Sequence, residues 1–120
     1  MAVFIATSKR FYTEAKRLVS ELREAGVQVH HPYFDLDPHT VDSDPDLKRQ
    51  ITLRHFPEID VSDVLYALTP NGYAGCSVTI ELTYAYARGK RIIASESPAE
   101  FALRAMVAEI CPPSDLYAHL

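Results

Sequence analysis

One acidic residue, Glu81, lies in a segment of apolar and small residues that has the spacing of a helix, from Ser77 to Arg88. If Ser77 caps this helix, a capping box would place its acid at Ile80, so Glu81 is not explained as a capping partner. Its apolar neighbours predict partial burial, which raises the pKa of a carboxyl group. Two interpretations remain open on these grounds: an acid that interacts favourably with the helix dipole, or a carboxylate that takes part in a reaction.

A second polar group, Ser8, Lys9 and Arg10, opens the helix predicted for residues 9–25. The dipole disfavours cations at this end of a helix, but a helix N-terminus with added cations is well suited to a phosphate or a carboxylate. Ser8 could add a hydroxyl group to such a site. The alternative is that the two cations point into solvent or pair with the acidic segment 35–46. We favour this alternative for Lys9 and the anion-binding interpretation for Arg10.

The loop 70–76, which precedes the Glu81 helix, contains two glycines, Gly72 and Gly75, that would let a ligand approach the backbone closely. It is not a P-loop, because no Lys-Ser or Lys-Thr pair follows the second glycine. Taken alone, the loop is better explained as a turn that needs a positive φ. Tyr73 in this loop and Tyr33 could each stack on a base or a sugar, or belong to the core or the surface.

His55 and Asp60 are titratable residues near the end of the helix predicted for residues 46–59. Histidine is the usual side chain for proton exchange near neutral pH. Without other information, however, we interpret His55 as a surface or half-buried side chain close to a helix end, and Asp60 as a turn residue.

Length and composition limit the class of protein. A chain of 120 residues corresponds to one domain, 1–120, and a net charge of −4 argues against binding to a nucleic acid polymer. The two cysteines, Cys76 and Cys111, form no metal-binding or disulfide pattern, which suits a reducing compartment. Because neither a secretory signal nor a membrane-spanning stretch is recognisable, we expect a soluble cytoplasmic protein.

Strands and helices alternate along the chain. The predicted strands are short and apolar throughout, at 2–6, 27–31, 63–69 and 91–95. The predicted helices are 9–25, 46–59, 77–88 and 98–110. Residues 32–45 are predicted to form a long loop rich in proline and aspartate, and residues 115–120 a weak tail or a short edge strand.

Apolar strands that alternate with helices indicate a parallel sheet with helices on both faces. The sequence therefore predicts a small doubly wound α/β fold, flavodoxin-like or Rossmann-like, with four or five strands. Ligands of such sheets bind at the carboxyl ends of the strands. Three segments should meet at this edge: 7–11, 31–37 and 70–81.

The glycine loop and the helix after it carry a family resemblance. The run Gly72-Tyr73-x-Gly-x-Ser77-x-x-x-Glu81-Leu-x-Tyr84-Ala-x-Ala-x-Gly89-Lys90 resembles the signature of the nucleoside 2-deoxyribosyltransferase superfamily, which includes the nucleoside 5'-monophosphate N-glycosidases. The run Arg54-His55-Phe56 is similar to a subset of the superfamily. The first strand, which leads into Thr7–Arg10, is similar to the nucleotide-holding loop of the monophosphate glycosidases. The resemblance covers residues 3–108.

This resemblance implies an N-glycosidase or an N-deoxyribosyltransferase in which Glu81 is the nucleophile. A glycosyl-enzyme would form through an oxocarbenium-like transition state and would pass to water or to another base, with the proton for the leaving base coming from His55 or Asp60. The implied substrate-binding residues are Ser8, Arg10, Tyr33, Gly72, Tyr73, Gly75 and Ser77. The resemblance implies no metal and no organic cofactor, and it implies a homodimer.

Three positions differ from the superfamily pattern. In the monophosphate glycosidases a serine supplied by the neighbouring subunit contacts phosphate, and the matching region here, 102–107, offers Arg104 instead. Thr83 stands where members usually have glycine, and His55 stands where the monophosphate glycosidases carry an aspartate. The differences at Thr83 and His55 keep a second hypothesis open, a nucleotide-binding or nucleotide-sugar-binding sensor of the same fold without turnover. A third hypothesis is a structural protein in which Glu81 only anchors its helix.

Overall fold

Five parallel strands form one sheet in a computed structural model that describes residues 1–120, except for the side chain of Pro38. The strands are β1 (Ala2–Thr7), β2 (Gln28–His30), β3 (Val64–Leu68), β4 (Arg91–Ala94) and β5 (Glu109–Ile110). Their order in the sheet is β2-β1-β3-β4-β5, which is the doubly wound, flavodoxin-like order. The predicted fold class is confirmed.

Six helices cover the sheet. They are α1 (Tyr12–Glu24), α2 (Pro38–Ser43), α3 (Pro45–Asp60), α4 (Cys76–Ala87), α5 (Phe101–Arg104) and α6 (Leu116–His119). Short 3-10 turns precede α1, α4 and α6, at Lys9–Phe11, Pro70–Gly72 and Pro113–Asp115. The helix predicted to start at residue 9 therefore begins as a 3-10 turn and continues as α1.

The continuous apolar pattern of the strands places one core on each face of the sheet. Every residue of β1 and β3 is buried. Alternate residues of β1 point to opposite faces, so Val3 and Ile5 pack with α1 while Phe4 and Ala6 pack with α3 and α4. Burial on both faces is what a parallel sheet requires, and it fixes α3 and α4 as neighbours on one side.

Residues 32–45 are not entirely the loop predicted from their prolines and aspartates, since α2 and the start of α3 lie in this segment. Two of the aspartates cap helices. The Asp37 carboxylate accepts a hydrogen bond from the backbone amide of His39. The Asp44 carboxylate accepts hydrogen bonds from the backbone amides of Asp46 and Leu47. Aspartate at the N-cap, followed by proline as in Asp44-Pro45, is a helix-start signal and not the loop signal predicted here.

The C-terminal prediction was wrong in two places. The helix predicted for residues 98–110 is limited to α5, and the fifth strand is β5 and not part of the tail. The free edge of β4 explains this, because its carbonyls at Ile92 and Ala94 accept the amides of Ala108 and Cys111. Pairing with a distant strand overrides the local helical pattern here. The tail itself forms α6, and its Leu116 is buried in the core.

The chain changes direction between β1 and β3. The connection after β1 leads to α1 on one face, and the connection after β3 leads to α4 on the other. Such a switch point leaves a crevice at the carboxyl ends of the two strands. Among the described residues, no helix has the length and apolar character needed to cross a membrane.

Candidate active site

Glu81 on α4 and His55 on α3 form a buried pair beside this crevice. The Glu81 and His55 side chains are 2 % and 7 % exposed, and His55 Nδ1 lies 3.6 Å from Glu81 Oε2. Packing of α3 against α4 brings the two residues together, and the ring of Phe4 on β1 lies 5.5 Å from the His55 ring, centroid to centroid. An acid and a potential proton donor therefore face one another in an apolar setting.

The start of α4 determines where Glu81 points. Gly75, and not Ser77 as predicted, is the N-cap, so the helix begins at Cys76. From this start Glu81 shares the buried face with Val78 and Ala85, which lie three positions before and four after it. The conclusion that Glu81 is not a capping partner holds with this start as well, because the capping-box position is then Val78.

The environment of Glu81 favours its uncharged form. Burial raises the pKa of Glu81 above its ordinary value, and the interaction with His55 only partly opposes this effect. In the described part of the chain, neither Glu81 Oε2 nor His55 Nε2 has a hydrogen-bond partner. A buried polar atom without a partner is costly, so these two atoms are poised for a ligand or for chemistry more than for structure.

Glu81 and His55 line a cleft that encloses about 570 Å³, including space open to solvent. One wall is the carboxyl end of β1 and the turn after it, and another is the segment 32–42. The polar residues on the cleft are Thr7, Lys9, Tyr12, Tyr33, Asp42, Lys48, Thr52, His55, Ser77 and Glu81. The space within it that the centre of a water-sized molecule can reach is only about 70 Å³, below the range of small-molecule sites, so a nucleoside would need the cleft to widen.

Several residues predicted for substrate binding lie at this cleft. Ser77 and Tyr33 line it, and the Tyr33 ring centroid is 5.5 Å from that of His55. Ser8, Tyr73 and Gly75 line a depression that adjoins the cleft at the start of α4. The three segments expected to meet at the carboxyl edge of the sheet therefore do meet there.

Asp60 lies elsewhere. It is the last residue of α3, close to the amino end of β3, and it is absent from the lining of the cleft. Its carboxylate accepts hydrogen bonds from Tyr84 Oη at 2.9 and 3.0 Å and from Arg88 Nε at 2.9 Å. These bonds, that from Tyr84 first, lower the pKa of Asp60. Of the two proton donors considered, the geometry favours His55.

Arg10 and Gly72 are not on the cleft either. The Arg10 guanidinium carbon lies 4.1 Å from the ring centroid of Tyr73, and the side chain is exposed. Gly72 is buried with a φ of 77°, and a Cβ atom there would come within 2.8 Å of the Ser97 carbonyl oxygen. Gly72 therefore serves the turn and its packing, which is the alternative that the sequence favoured for this loop.

Three residues on the cleft were not predicted from the sequence to be site residues: Lys9, Tyr12 and Lys48. The ammonium group of Lys9 pairs with Asp42 on α2, as its proposed pairing with the acidic segment anticipated, and Lys48 on α3 contacts the same carboxylate. Tyr12 is half-buried, and its pKa is raised by burial and then by the charge of Glu81. Lys48 was detectable, since residues 48, 52 and 55 repeat at the spacing of one helix face.

The described residues contain no cluster of three or more His, Cys, Asp or Glu side chains that could hold a metal ion. What the cleft offers is a carboxylate, an imidazole, hydroxyl groups and two ammonium groups. These are the groups needed for acid–base and nucleophilic chemistry on a small polar molecule.

Comparisons with known proteins give no sequence relative. No family model matches the chain, and no curated protein matches it significantly. Solved structures do match. A 2-deoxyribosyltransferase of Bacillus psychrosaccharolyticus has a TM-score of 0.70 at 14% identity, over 97% of this chain and 90% of its own.

Two further structures are similar over nearly their whole lengths. A conserved protein of Enterococcus faecalis V583 has a TM-score of 0.68 at 16% identity, over 98% of this chain and 95% of its own. A CMP N-glycosidase of Clostridium botulinum has a TM-score of 0.64 at 19% identity, over 99% and 97%. At these identities the likeness concerns the fold, and it agrees with the resemblance to the nucleoside 2-deoxyribosyltransferase superfamily that the signature run indicates.

Proposed function

We propose that the protein cleaves or transfers the N-glycosidic bond of a nucleoside or a nucleoside 5'-monophosphate, with Glu81 as the nucleophile. The observation that carries the proposal is a buried carboxylate with an unpartnered oxygen, beside a histidine, at the ligand-binding edge of the sheet. Two of the solved structures with the same fold are a 2-deoxyribosyltransferase and a CMP N-glycosidase. Both act on the class of bond proposed here.

In the first step a Glu81 carboxylate oxygen attacks the anomeric carbon as the carbon–nitrogen bond breaks. The electron pair of that bond leaves with the base, and the sugar becomes an ester of Glu81 after an oxocarbenium-like transition state. The apolar surroundings of Glu81 withhold water from its oxygens. A poorly solvated carboxylate is a more reactive nucleophile than a hydrated one. Its negative charge and the positive charge that develops on the sugar stabilise each other in the transition state.

His55 supplies the proton that the leaving base needs. Its protonated ring would also favour the charged form of Glu81 before attack, which offsets part of the burial effect. In the second step neutral His55 takes a proton from water or from an acceptor base, and the ester is opened with overall retention at the anomeric carbon. Hydrolysis and transfer share this course and differ only in the acceptor.

The lining residues suggest how the substrate lies. Tyr33 flanks His55 and can stack on the base, because the base must be close to its proton donor. Ser77 lines both the cleft and the adjoining depression, next to Ser8, Tyr73 and Gly75, and its hydroxyl can bond the sugar. No metal or organic cofactor is required by this course.

The protein is expected to work as a homodimer. The exposed stripe of α4 consists of Cys76, Ile80, Thr83 and Ala87, without a charge, and Ile80 is 45% exposed. On α5, which packs against α4, Phe101 is 77% exposed. Apolar surface of this kind commonly marks an interface. Thr83, which replaces the usual glycine, lies on this stripe and not in the cleft.

A nucleotide-binding sensor without turnover is the second candidate. The 2 % exposure of Glu81 favours it, since a nucleophile must reach its substrate. Catalysis would therefore require the cleft to open.

Base release decides between these candidates. The protein is incubated with a panel of nucleosides and their 5'-monophosphates, and free base is measured by chromatography. We expect release that Glu81→Gln reduces by roughly 10³-fold or more, the scale of losing a covalent nucleophile. Glu21→Gln, an exposed acid of α1, is the matched control and should leave the rate unchanged. Binding without release from any substrate would support the sensor, and release that survives Glu81→Gln would remove Glu81 from the mechanism.

A further inference from the structure

Two lysines from different elements converge on one carboxylate at the cleft. Lys9 belongs to the turn after β1, Lys48 lies near the start of α3, and Asp42 is on α2. The Lys9 ammonium group pairs with Asp42 Oδ2, and Lys48 Nζ lies 3.4 Å from Asp42 Oδ1. Each oxygen of the carboxylate thus faces its own lysine.

The three residues stand where two spaces join. Lys9, Lys48 and Asp42 line both the cleft that contains Glu81 and the adjoining depression at the start of α4. A substrate with its anomeric carbon at Glu81 would therefore have its other groups within reach of these lysines.

The ion pairs are open to solvent, so a ligand can reach their charges. The side chains of Lys9, Lys48 and Asp42 are 50%, 44% and 44% exposed. Lysine–carboxylate pairs at such exposure contribute little to folding. A phosphate carries up to two charges and three free oxygens, so it would interact with two ammonium groups more strongly than one carboxylate does.

Asp42 also links a covering segment to the two lysines. Leu36 and Val41, on the same segment as Asp42, line the cleft over Glu81, which is almost fully buried. Without Asp42 between the two lysines, α2 would lose these ion pairs but keep its packing against α3, which follows it directly in the chain.

We propose that Lys9 and Lys48 form the binding site for a phosphate group of the substrate, and that Asp42 occupies this site in the unliganded protein. The inference rests on the proposed function and narrows it to nucleoside monophosphates. Phosphate replaces the Asp42 carboxylate between the two lysines, so the site selects phosphorylated substrates. Arg10, which lies on Tyr73, takes no part in this site.

Direct binding tests this site without relying on turnover. Calorimetry compares ribose 5-phosphate with ribose, and nucleoside 5'-monophosphates with nucleosides, on the full chain. We expect the phosphorylated member of each pair to bind at least tenfold more tightly. Lys48→Gln and Lys9→Gln should each weaken phosphate binding by about tenfold, the scale of one charge-assisted contact.

The variant Asp42→Asn tests whether Asp42 competes with phosphate for the two lysines or only holds the lysines in position. Loss of the competing charge should tighten binding of ribose 5-phosphate and of inorganic phosphate severalfold, and should leave binding of ribose unchanged. Arg49→Gln is the matched control, because it removes one positive charge from the same helix at a residue paired only with Asp46, among the contacts described. It should change none of these affinities.

Each outcome has a definite meaning. Equal binding of phosphorylated and unphosphorylated ligands, or phosphate binding that is insensitive to both lysine variants, overturns the site. Weaker phosphate binding in Asp42→Asn overturns the claim that Asp42 competes. Phosphate binding with the expected variant pattern but without base release refutes the proposed reaction and leaves the site standing. Far-ultraviolet circular dichroism of each variant checks that the fold is retained.

Discussion

His55 Nδ1 and Glu81 Oε2 lie 3.6 Å apart in a setting where both side chains are more than nine-tenths buried. The separation is slightly longer than a hydrogen bond, so the two groups influence each other by charge without fixing each other in place. Burial raises the pKa of the Glu81 carboxyl, and the neighbouring imidazole counteracts the shift. The His55 ring therefore offsets part of the penalty that burial places on the charged form of Glu81.

Glu81→Gln is expected to make the protein more stable at neutral pH. The folded protein holds the Glu81 proton more tightly than the unfolded chain does, since the pKa is raised. As pH rises from the unfolded value, about 4.3, to the folded one, the wild type loses stability that the amide variant keeps. The free energy of unfolding, from urea titrations at several pH values, should therefore favour Glu81→Gln increasingly across this window and then level off.

The control for this prediction is Glu21→Gln, an exposed change on α1. Its free energy of unfolding should track that of the wild type at every pH. A Glu81→Gln variant that is less stable than the wild type at neutral pH would show that the carboxylate is satisfied in the folded protein, contrary to its unpartnered oxygen.

His55→Asn should slow base release by roughly 10²–10⁴-fold, the range for losing a general acid. The effect depends on the leaving group. The base of an N7-methylated purine nucleotide is already positively charged, and it leaves as a neutral molecule without a further proton. Base release from this substrate should therefore slow far less in His55→Asn. The measurement is the ratio of kcat values for methylated and unmethylated substrates in both proteins.

A purely structural role for His55 would lower both rates equally. That result would remove His55 as the proton donor. A further variant, His55→Asp, carries the residue that the monophosphate glycosidases have at this position. It should recover activity relative to His55→Asn if the position serves proton transfer.

The sequence predicted the central strands and the Glu81 helix because their signals are local. β1 and β3 are continuous apolar runs with neighbours on both faces, and a run of that kind has few other uses. β5 has only two residues and forms because they pair with the free edge of β4, so no local sequence pattern predicts it. The C-terminal helix prediction failed for that reason.

The same distinction applies to the site. The sequence indicated Glu81 because an acid is unusual on an apolar helix. For the proton donor it left two candidates, His55 and Asp60. Helix geometry resolves part of this choice: five residues correspond to about 140° of rotation and 7.5 Å of rise, so the two side chains cannot serve one point. Lys9 and Asp42 lie 33 residues apart and meet through tertiary packing, which no spacing in the sequence encodes.

Asp60→Asn is expected to reduce stability and to leave base release within about twofold, as for a change remote from the cleft. The carboxylate accepts bonds from Tyr84 and Arg88, which lower its pKa. A group with a lowered folded pKa stabilises above its unfolded pKa, and this contribution disappears as pH falls through the folded pKa. The thermal midpoint of the variant should therefore approach that of the wild type in acid. A large loss of kcat in Asp60→Asn would instead return Asp60 to the list of proton donors.

Ile80→Asp is expected to convert a homodimer into monomers. Ile80 belongs to the uncharged exposed stripe of α4, which also carries Thr83, and a charge buried in an apolar interface without a partner is strongly unfavourable. Size-exclusion chromatography with light scattering measures the mass.

Val61→Asp is the matched control, because Val61 is 63% exposed after α3 and away from the stripe. A wild type that is monomeric at tens of micromolar would refute the homodimer. A dimer that tolerates Ile80→Asp but not Val61→Asp would place the interface elsewhere. Because α4 carries both the stripe and Glu81, loss of the dimer should also lower kcat, through altered packing of the helix that carries Glu81.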